Sequence, residues 1–575
     1  MRIWLPGVTL LVACALASPA VAAAPRVSVS FPPDMSEEPL TGRLLLVFSP
    51  GGKGEPRSQV IWDIDAIPFF GLDVEGWKPG QRKVFDARVK GFPLVSLAEL
   101  PDGEYTVQAM LNRYEKFTRS DGHTLWLPPD RGEGQVWHQK PGNLHSQPMK
   151  VRIDRKRRGR IELVLDQKVP SVADFEDRQT DYVRYFRIRS ERLSEFWGRD
   201  TYLAAWVRLP WGYQEHPEAR YPLVIAHGHY PAGPGEFREI PPDPDLVPEF
   251  SKRFSLEGYN RIQQEYEWQA HKDWITPGFP RVLLVEIQHP TPFYDDSYAV
   301  NSANNGPYGD AIQYELIPAI EKEFRALGTG WSRFVYGGST GGWEAMAVQM
   351  FYPDDYNGAW VACPDPIDFG HYETVDIYKD RNAYFIANSY KRTPRPAHRN
   401  WLGHVDATIE EVNRYETMLG TRGRSGDQWD AWESVFSPVG ADGYPRRIWD
   451  RETGEVDPVT AEYWRENYDL AHILQRDWAT LGPKLRGKLR IYVGDMDNYY
   501  LNDAVYGVEE FLQGASPPAD AVVEYGDRAE HCWNGDHSRE NAYSRLRYPQ
   551  MVLPWVVDRI LDTAPPGSDV DSWRY

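Results

Sequence analysis

Cysteine is scarce: three residues in 575, at positions 14, 363 and 532. Cys14 sits in the N-terminal leader, so the mature chain keeps Cys363 and Cys532, too few for a disulfide framework. One bridge between these two is the expectation, because both follow strand ends and the bridge would tether the loop that carries His531. Beyond the leader no stretch reaches about 18 uncharged apolar residues, which excludes a membrane-spanning helix. Positive charge is also in deficit, with 64 basic against 83 acidic side chains and a net charge of -19. That balance argues against nucleic acid or an anionic membrane as a general electrostatic partner. There is no internal repeat and no low-complexity run. No H-E-x-x-H helix occurs, and neither the His227-Gly228-His229 triplet nor His289 has cysteines beside it, so no metal and no other cofactor is expected.

What the chain does contain is length and aromatic rings. With 575 residues it exceeds one compact core, and two or three domains are expected. Its 22 Trp and 33 Tyr serve either core packing or a groove for a large, ring-containing ligand such as a glycan. The leader "MRIWLPGVTLLVACALASPAVAAAP" sets one arginine before an apolar run and ends in small residues, with Ala20-Val21-Ala22 as an A-x-A cleavage site. Residues 1–23 therefore read as a secretory signal peptide, and the protein as secreted or periplasmic. Leu11-Val12-Ala13-Cys14 resembles a lipobox, which makes a lipoprotein anchored at Cys14 the alternative.

Residues 24–170 carry short β-branched or alternating runs, "GRLLLVFSP", "EYTVQAML", "MKVRID" and "RIELVLD", divided by Gly, Pro and Asp. This spacing predicts an all-β domain. Leu100, Asp102, Gly103 and Tyr105 match the tyrosine corner of immunoglobulin-like sandwiches, so such a sandwich is the expected fold. The basic run from Arg155 to Arg160 is expected at a solvated hairpin tip. From residue 171 the pattern changes, first to a hairpin, "YFRIRSERL" and "TYLAAWVRLP", then to near-continuous apolar strands alternating with helical stretches. Such alternation predicts an α/β domain with a mostly parallel, doubly wound sheet over residues 171–575. Residues 367–484 break the rhythm and are read as a cap or lid inserted over the carboxyl ends of the strands.

The stretch "VYGGSTGGWEAM" lies in this domain, and 47 glycines make its G-x-S-x-G pattern easy to meet by chance. Context decides: "RFVYGG" is a strand that ends at Ser339, and a helix-compatible run follows, which is what a nucleophile elbow needs. A serine hydroxyl also needs a base and an orienting carboxylate, acid before histidine in chain order. Asp497, with Asp495 as its neighbour, follows the strand "LRIYVGD", and helix capping is the competing role for either carboxylate. His531 follows the strand "AVVEYGD" and is expected as the base, while His537 is expected on the surface or in the cap. For the oxyanion, the backbone N-H of Thr340 and that of His229, after Gly228, are the candidate donors.

Taken together, "LPWGYQEHPEARYPLVIAHGH", "NNGPYGDAIQYELIPAIE", "GGSTGGWEAM", "FYPDDYNGAWVACPD", "GDMDNYYL" and "GDRAEHCW" resemble the secreted esterase family of α/β hydrolases, which includes esterase D-like, feruloyl and acetyl xylan esterases and the mycolyltransferases. The resemblance covers roughly residues 180–365 and 485–560. It implies an α/β-hydrolase fold with Ser339 as nucleophile, Asp497 as acid, His531 as base and the residue after Gly228 as an oxyanion donor. Trp343 departs from the family pattern, where a small or polar residue is usual, and the insertion is long. The expected activity is that of an exported serine esterase acting on a small-molecule or glycan ester. An acyltransferase or peptidase using the same triad, or a non-catalytic glycan- or protein-binding member, is the alternative.

Overall fold

The computed structural model describes residues 24–575 apart from 53, 135, 157, 158, 173, 230–234, 294, 295 and 389. The expected signal peptide and the Cys14 anchor site lie outside the described residues, and among those residues no helix is long and apolar enough to cross a membrane.

An eight-stranded sheet organises the larger part of the chain. In spatial order its strands are Val183–Ser190, Thr201–Arg208, Leu283–Gln288, Leu223–His227, Arg333–Gly338, Ala359–Ala362, Leu489–Gly494 and Val522–Gly526. The first three pair antiparallel and all later neighbours run parallel. Consecutive residues such as Val224 and Ile225, which point to opposite faces, are both fully buried. Cover on both faces is why these strands read as unbroken apolar runs. In the register His227 stands beside Gly337, Gly338 beside Ala362, and Gly494 beside Gly526. The loops that begin at Gly228, Ser339, Cys363, Asp495 and Asp527 therefore leave one common edge of the sheet.

The expected hairpin at the start of this region is an antiparallel pair joined by a helix, Glu191–Trp197, in place of a turn. The Ser190 hydroxyl accepts the Leu193 N-H, and Gly198 ends the helix at φ 61°. Helix Tyr259–Trp274 was not anticipated; it buries only Ala270, His271 and Trp274, too narrow a stripe to register as periodicity.

Among the described residues, 26–168 form β-sheets of three and seven strands and a two-stranded pair, Glu115–Thr118 with Thr124–Leu127. Strand Leu40–Pro50 lies in the larger sheet and explains its own composition. Leu44, Leu46 and Phe48 point into the core shared with the smaller sheet, whereas Leu45 and Val47 pack with Tyr415, Met418 and Leu419 of the insertion. The Tyr105 hydroxyl donates to the Pro101 carbonyl at 3.2 Å. The hairpin expected around Arg155–Arg160 is corrected: Met149–Ile153 pairs in the larger sheet and Arg160–Val164 in the smaller one, so the basic run belongs to a crossover between sheets. Arg157 and Arg158 lie outside the described residues.

Between Ala362 and Leu489 the chain builds helices Ile409–Leu419, Gln428–Phe436, Pro458–Tyr468 and Leu470–Leu485. Thr408 and Glu411 form a capping box at the first of them. Tyr372 is packed against Trp429, Trp432, Trp449 and Trp464 at ring-centroid distances of 5.0 to 5.7 Å. Much of the aromatic content is therefore spent on packing, with Trp77, Trp197, Trp206, Trp274 and Trp343 also buried.

Arg43, on the larger N-terminal sheet, ties this insertion down. Its guanidinium donates to the carbonyls of Met418 at 2.8 Å and Thr417 at 2.9 Å, and to Asp73 at 3.1 Å, with only 4% of the residue exposed. Arg43→Met should cost about 3 kcal/mol of stability in urea unfolding, because it strands buried acceptors, and should speed hydrogen exchange in helix Ile409–Leu419. An unchanged midpoint and exchange pattern would contradict this role.

Candidate active site

Ser339 follows the central strand and precedes helix Thr340–Phe351. Its backbone stands at φ 59° and ψ -124°, outside the common regions for a residue with a side chain. Neighbours hold it there. The Ser339 N-H donates to the Ala362 carbonyl at 3.1 Å, while its own carbonyl accepts from Gly342, Trp343 and Asp365 at 2.9 to 3.1 Å. Gly341 is required by close approach: a Cβ there would stand 2.1 Å from the His227 carbonyl oxygen. Thr340 opens the helix, so its N-H has no intrahelical acceptor and the positive end of the dipole lies beside the serine.

The strand ends bring three sequence-predicted side chains together. Ser339 Oγ is 2.9 Å from His531 Nε2, and His531 Nδ1 is 2.8 Å from Asp497 Oδ2. Asp497 is fully buried, and its Oδ1 accepts the N-H groups of Tyr499 at 2.9 Å and Leu501 at 3.4 Å. The capping role and the histidine contact thus coexist on its two oxygens. Burial works against the Asp497 carboxylate, but the His531 contact and the backbone donors hold its pKa below the ordinary value. His531 is fixed by its N-H to Asn498 Oδ1 at 3.0 Å, by Arg253 donating to its carbonyl at 2.6 Å, and by the edge of Tyr499 at 4.9 Å. Burial lowers the His531 pKa, while Cys532 and then Asp497 raise it, and the net direction is upward from 6.5. Asp495 accepts the Arg528 N-H at 2.7 Å, and the exposed His537 pairs with Glu524 at 2.9 Å; neither reaches Ser339.

His229 is held through its ring, with Nε2 3.2 Å from Thr340 Oγ1 and Nδ1 3.4 Å from Asp296. Cys363 and Cys532 are adjacent as expected but stand unbridged with sulfurs 2.8 Å apart, so the expected bridge is corrected to a sulfur–sulfur contact. Cys363 Sγ also accepts the Ser339 N-H at 3.2 Å. Among the described residues, two groups have metal-compatible donors within 4.8 Å of one another: Cys363, His531 and Cys532, and the buried set His289, Asp296 and Glu344. An ion in the first group would compete with Ser339 for His531.

Sequence reasoning missed Asp365. Its Oδ1 lies 3.3 Å from Ser339 Oγ, and its Oδ2 accepts from the Tyr298 hydroxyl at 2.7 Å, Thr340 Oγ1 at 3.0 Å and Trp432 Nε1 at 3.1 Å. Burial raises its pKa against these donors. The signal was positional: "ACPD" ends a strand beside Ser339, as the segments bearing Asp497 and His531 end theirs. A cavity of about 400 Å³ opens over Ser339 and His531. The insertion lines it with Glu373, His398, Gln428, Trp429 and Trp432, and the N-terminal region adds Trp62. Trp343 lines no part of it; the ring is fully buried against Phe436 at 5.0 Å and Tyr298 at 5.6 Å. Trp343→Ala should therefore lower the unfolding free energy by about 3–5 kcal/mol through the cavity it leaves. A loss under about 1 kcal/mol in denaturant titration would contradict a packing role.

Residues 282–541 match the Esterase family, described as "Putative esterase". Among solved structures, a ferulic acid esterase is similar at 15% identity over 66% of this chain and 98% of its own, with a TM-score of 0.33. An S-formylglutathione hydrolase from Agrobacterium tumefaciens is similar at 13% identity over 66% and 98%, with a TM-score of 0.32. A ferulic acid esterase from Anaeromyces mucronatus is similar at 11% identity over 64% and 89%, with a TM-score of 0.26. No curated protein matches the sequence. Residues 282–541, which carry Ser339, Asp497 and His531, are thus similar to a family of ester-hydrolysing enzymes.

Proposed function

We propose that the protein is an exported serine esterase that works through an acyl-enzyme on Ser339. The observation that carries this reading is the pair of contacts Ser339 Oγ to His531 Nε2 at 2.9 Å and His531 Nδ1 to Asp497 at 2.8 Å, on a strained strand-to-helix turn. His531 takes the hydroxyl proton as Ser339 attacks the ester carbonyl, and Asp497 stabilises the imidazolium and keeps its ring oriented. The backbone N-H groups of Thr340 and His229 receive the developing oxyanion, the first aided by the helix N-terminus. His531 then protonates the leaving alcohol, and a water activated by the same imidazole releases the acid. A carbohydrate-linked ester is the favoured substrate; the rings of Trp62, Trp429 and Trp432 along the cavity support it. Export rests on the leader. We read residues 24–170 as an immunoglobulin-like sandwich, for which the Tyr105 to Pro101 bond is the support, residues 171–575 as the catalytic domain, and residues 367–484 as its cap.

Ser339→Ala should lower kcat by on the order of a millionfold while the circular dichroism spectrum is unchanged; ordinary turnover by that variant would sink the assignment. The pH profile gives a second test. The base must be neutral, and the His531 pKa lies above 6.5, so kcat/KM should fall as pH drops through a limb located above pH 6.5. The Cys363 contact and then His531 hold the Cys532 pKa below the ordinary thiol value, and the resulting thiolate raises the His531 pKa, so Cys532→Ser should move that limb to lower pH. A limb that stays in place would contradict the electrostatic coupling.

A further inference from the structure

Glu373 is the buried acid in the cavity that the mechanism leaves unused. It is 3% exposed, lines the cavity over Ser339, and its Oε2 is buried without a hydrogen-bond partner among the described residues. A carboxyl removed from water and left unpaired is costly, so its retention at a ligand cavity calls for a partner that arrives with the ligand. The turn that presents it is rigid. Tyr372 and Val375 exchange backbone hydrogen bonds at 2.9 and 3.1 Å, Glu373 itself sits at φ 49°, and Arg395 donates to the Thr374 carbonyl at 2.7 Å. The Trp cage around Tyr372 holds the base of the same turn.

The charge around Glu373 selects the partner. The groups that act on it are Asp365, Asp497 and His531, with no lysine or arginine among them. Arg545, the arginine of the cavity wall, acts on Cys532, Tyr259, Tyr548 and Cys363. Acidic side chains thus gather around Glu373, and the Arg545 side of the cavity lies near the cysteines. A neutral hydroxyl satisfies a carboxyl by hydrogen bonding alone, whereas a protonated amine also favours the ionised form of Glu373 and offsets the charge of its acidic neighbours.

We propose that Glu373, with Asp365 beside Ser339, forms an ammonium-binding subsite, and that the substrates are esters whose acyl or alcohol part carries a protonated primary amine. This rests on the esterase reading above and narrows its substrate class. Burial, and then Asp365 and Asp497, keep the Glu373 carboxyl protonated well above the ordinary carboxylate range in the free protein. An incoming ammonium replaces that proton, which leaves to solvent.

The test separates the subsite from the chemistry. Calorimetric titration of the Ser339→Ala protein with hexylammonium chloride and with hexan-1-ol reads binding without turnover. The ammonium should bind roughly 10- to 100-fold more tightly than the alcohol. Glu373→Gln in the same background should remove that preference and Glu373→Asp should restore part of it, with thermal melting to show that each variant is folded. In the wild-type enzyme, the kcat/KM ratio of the 6-aminohexanoyl to the heptanoyl 4-nitrophenyl ester, and of 6-aminohexyl to heptyl acetate, should favour the amine in at least one pair. Equal affinity for ammonium and alcohol, or a preference that survives Glu373→Gln, overturns the subsite even when both esters turn over. Ammonium-selective binding without turnover of any ester would leave the subsite standing and remove the esterase reading.

Discussion

The site depends on one backbone constraint: Ser339 is held at φ 59° between a central strand and the helix that starts one residue later. Strain of this kind costs of order 1–3 kcal/mol and persists only where the surroundings over-determine it. Here they do so by contact. The Ser339 N-H is spent on Ala362, its carbonyl is spent on three N-H groups, and Gly337 and Gly341 interlock so closely that a Cβ on Gly337 would stand 2.4 Å from the Gly341 carbonyl oxygen. With the turn fixed, the hydroxyl projects from the sheet edge toward the loops of the neighbouring strands, and those loops carry Asp365, Asp497 and His531.

The surroundings of that turn come from three stretches of chain. The sheet supplies the floor, the insertion supplies the aromatic and acidic roof, and the N-terminal region supplies Trp62. Trp62 touches His398 edge to face at 5.1 Å, His398 touches Tyr499 at 5.0 Å, and Tyr499 touches His531 at 4.9 Å. This row of rings links the N-terminal region to the histidine. The Arg43 bonds to helix Ile409–Leu419 secure the same region from a second side. In this geometry the N-terminal sheets brace the segment that lines the cavity over Ser339.

Much of the eight-stranded sheet was legible because its strands are covered on both faces and so appear as short apolar runs such as "PLVIAHG" and "RVLLVEIQ". Ser339, Asp497 and His531 were legible as candidates because each lies within five residues of the end of such a run, and position after a strand end is a local property. Asp365 follows the same rule two residues after Cys363, but its partners Tyr298, Gln428 and Trp432 come from remote segments, so its surroundings were invisible in sequence. Glu373 was hidden for the same reason: nothing near it in the chain announces that the turn after the Trp-caged Tyr372 will set it in the lining of the cavity over Ser339. The misread hairpin at Arg155–Arg160 has a different cause. Strand propensity is the same whether the next strand pairs with its predecessor or crosses to another sheet, and only the three-dimensional partner distinguishes them.

The most direct test is covalent. The native protein is treated with a fluorophosphonate and the adduct is located by peptide mass spectrometry. A serine activated by His531 and Asp497 should give one adduct, on Ser339, and His531→Ala should abolish it. An adduct on another residue, or none on the folded protein, would contradict the account.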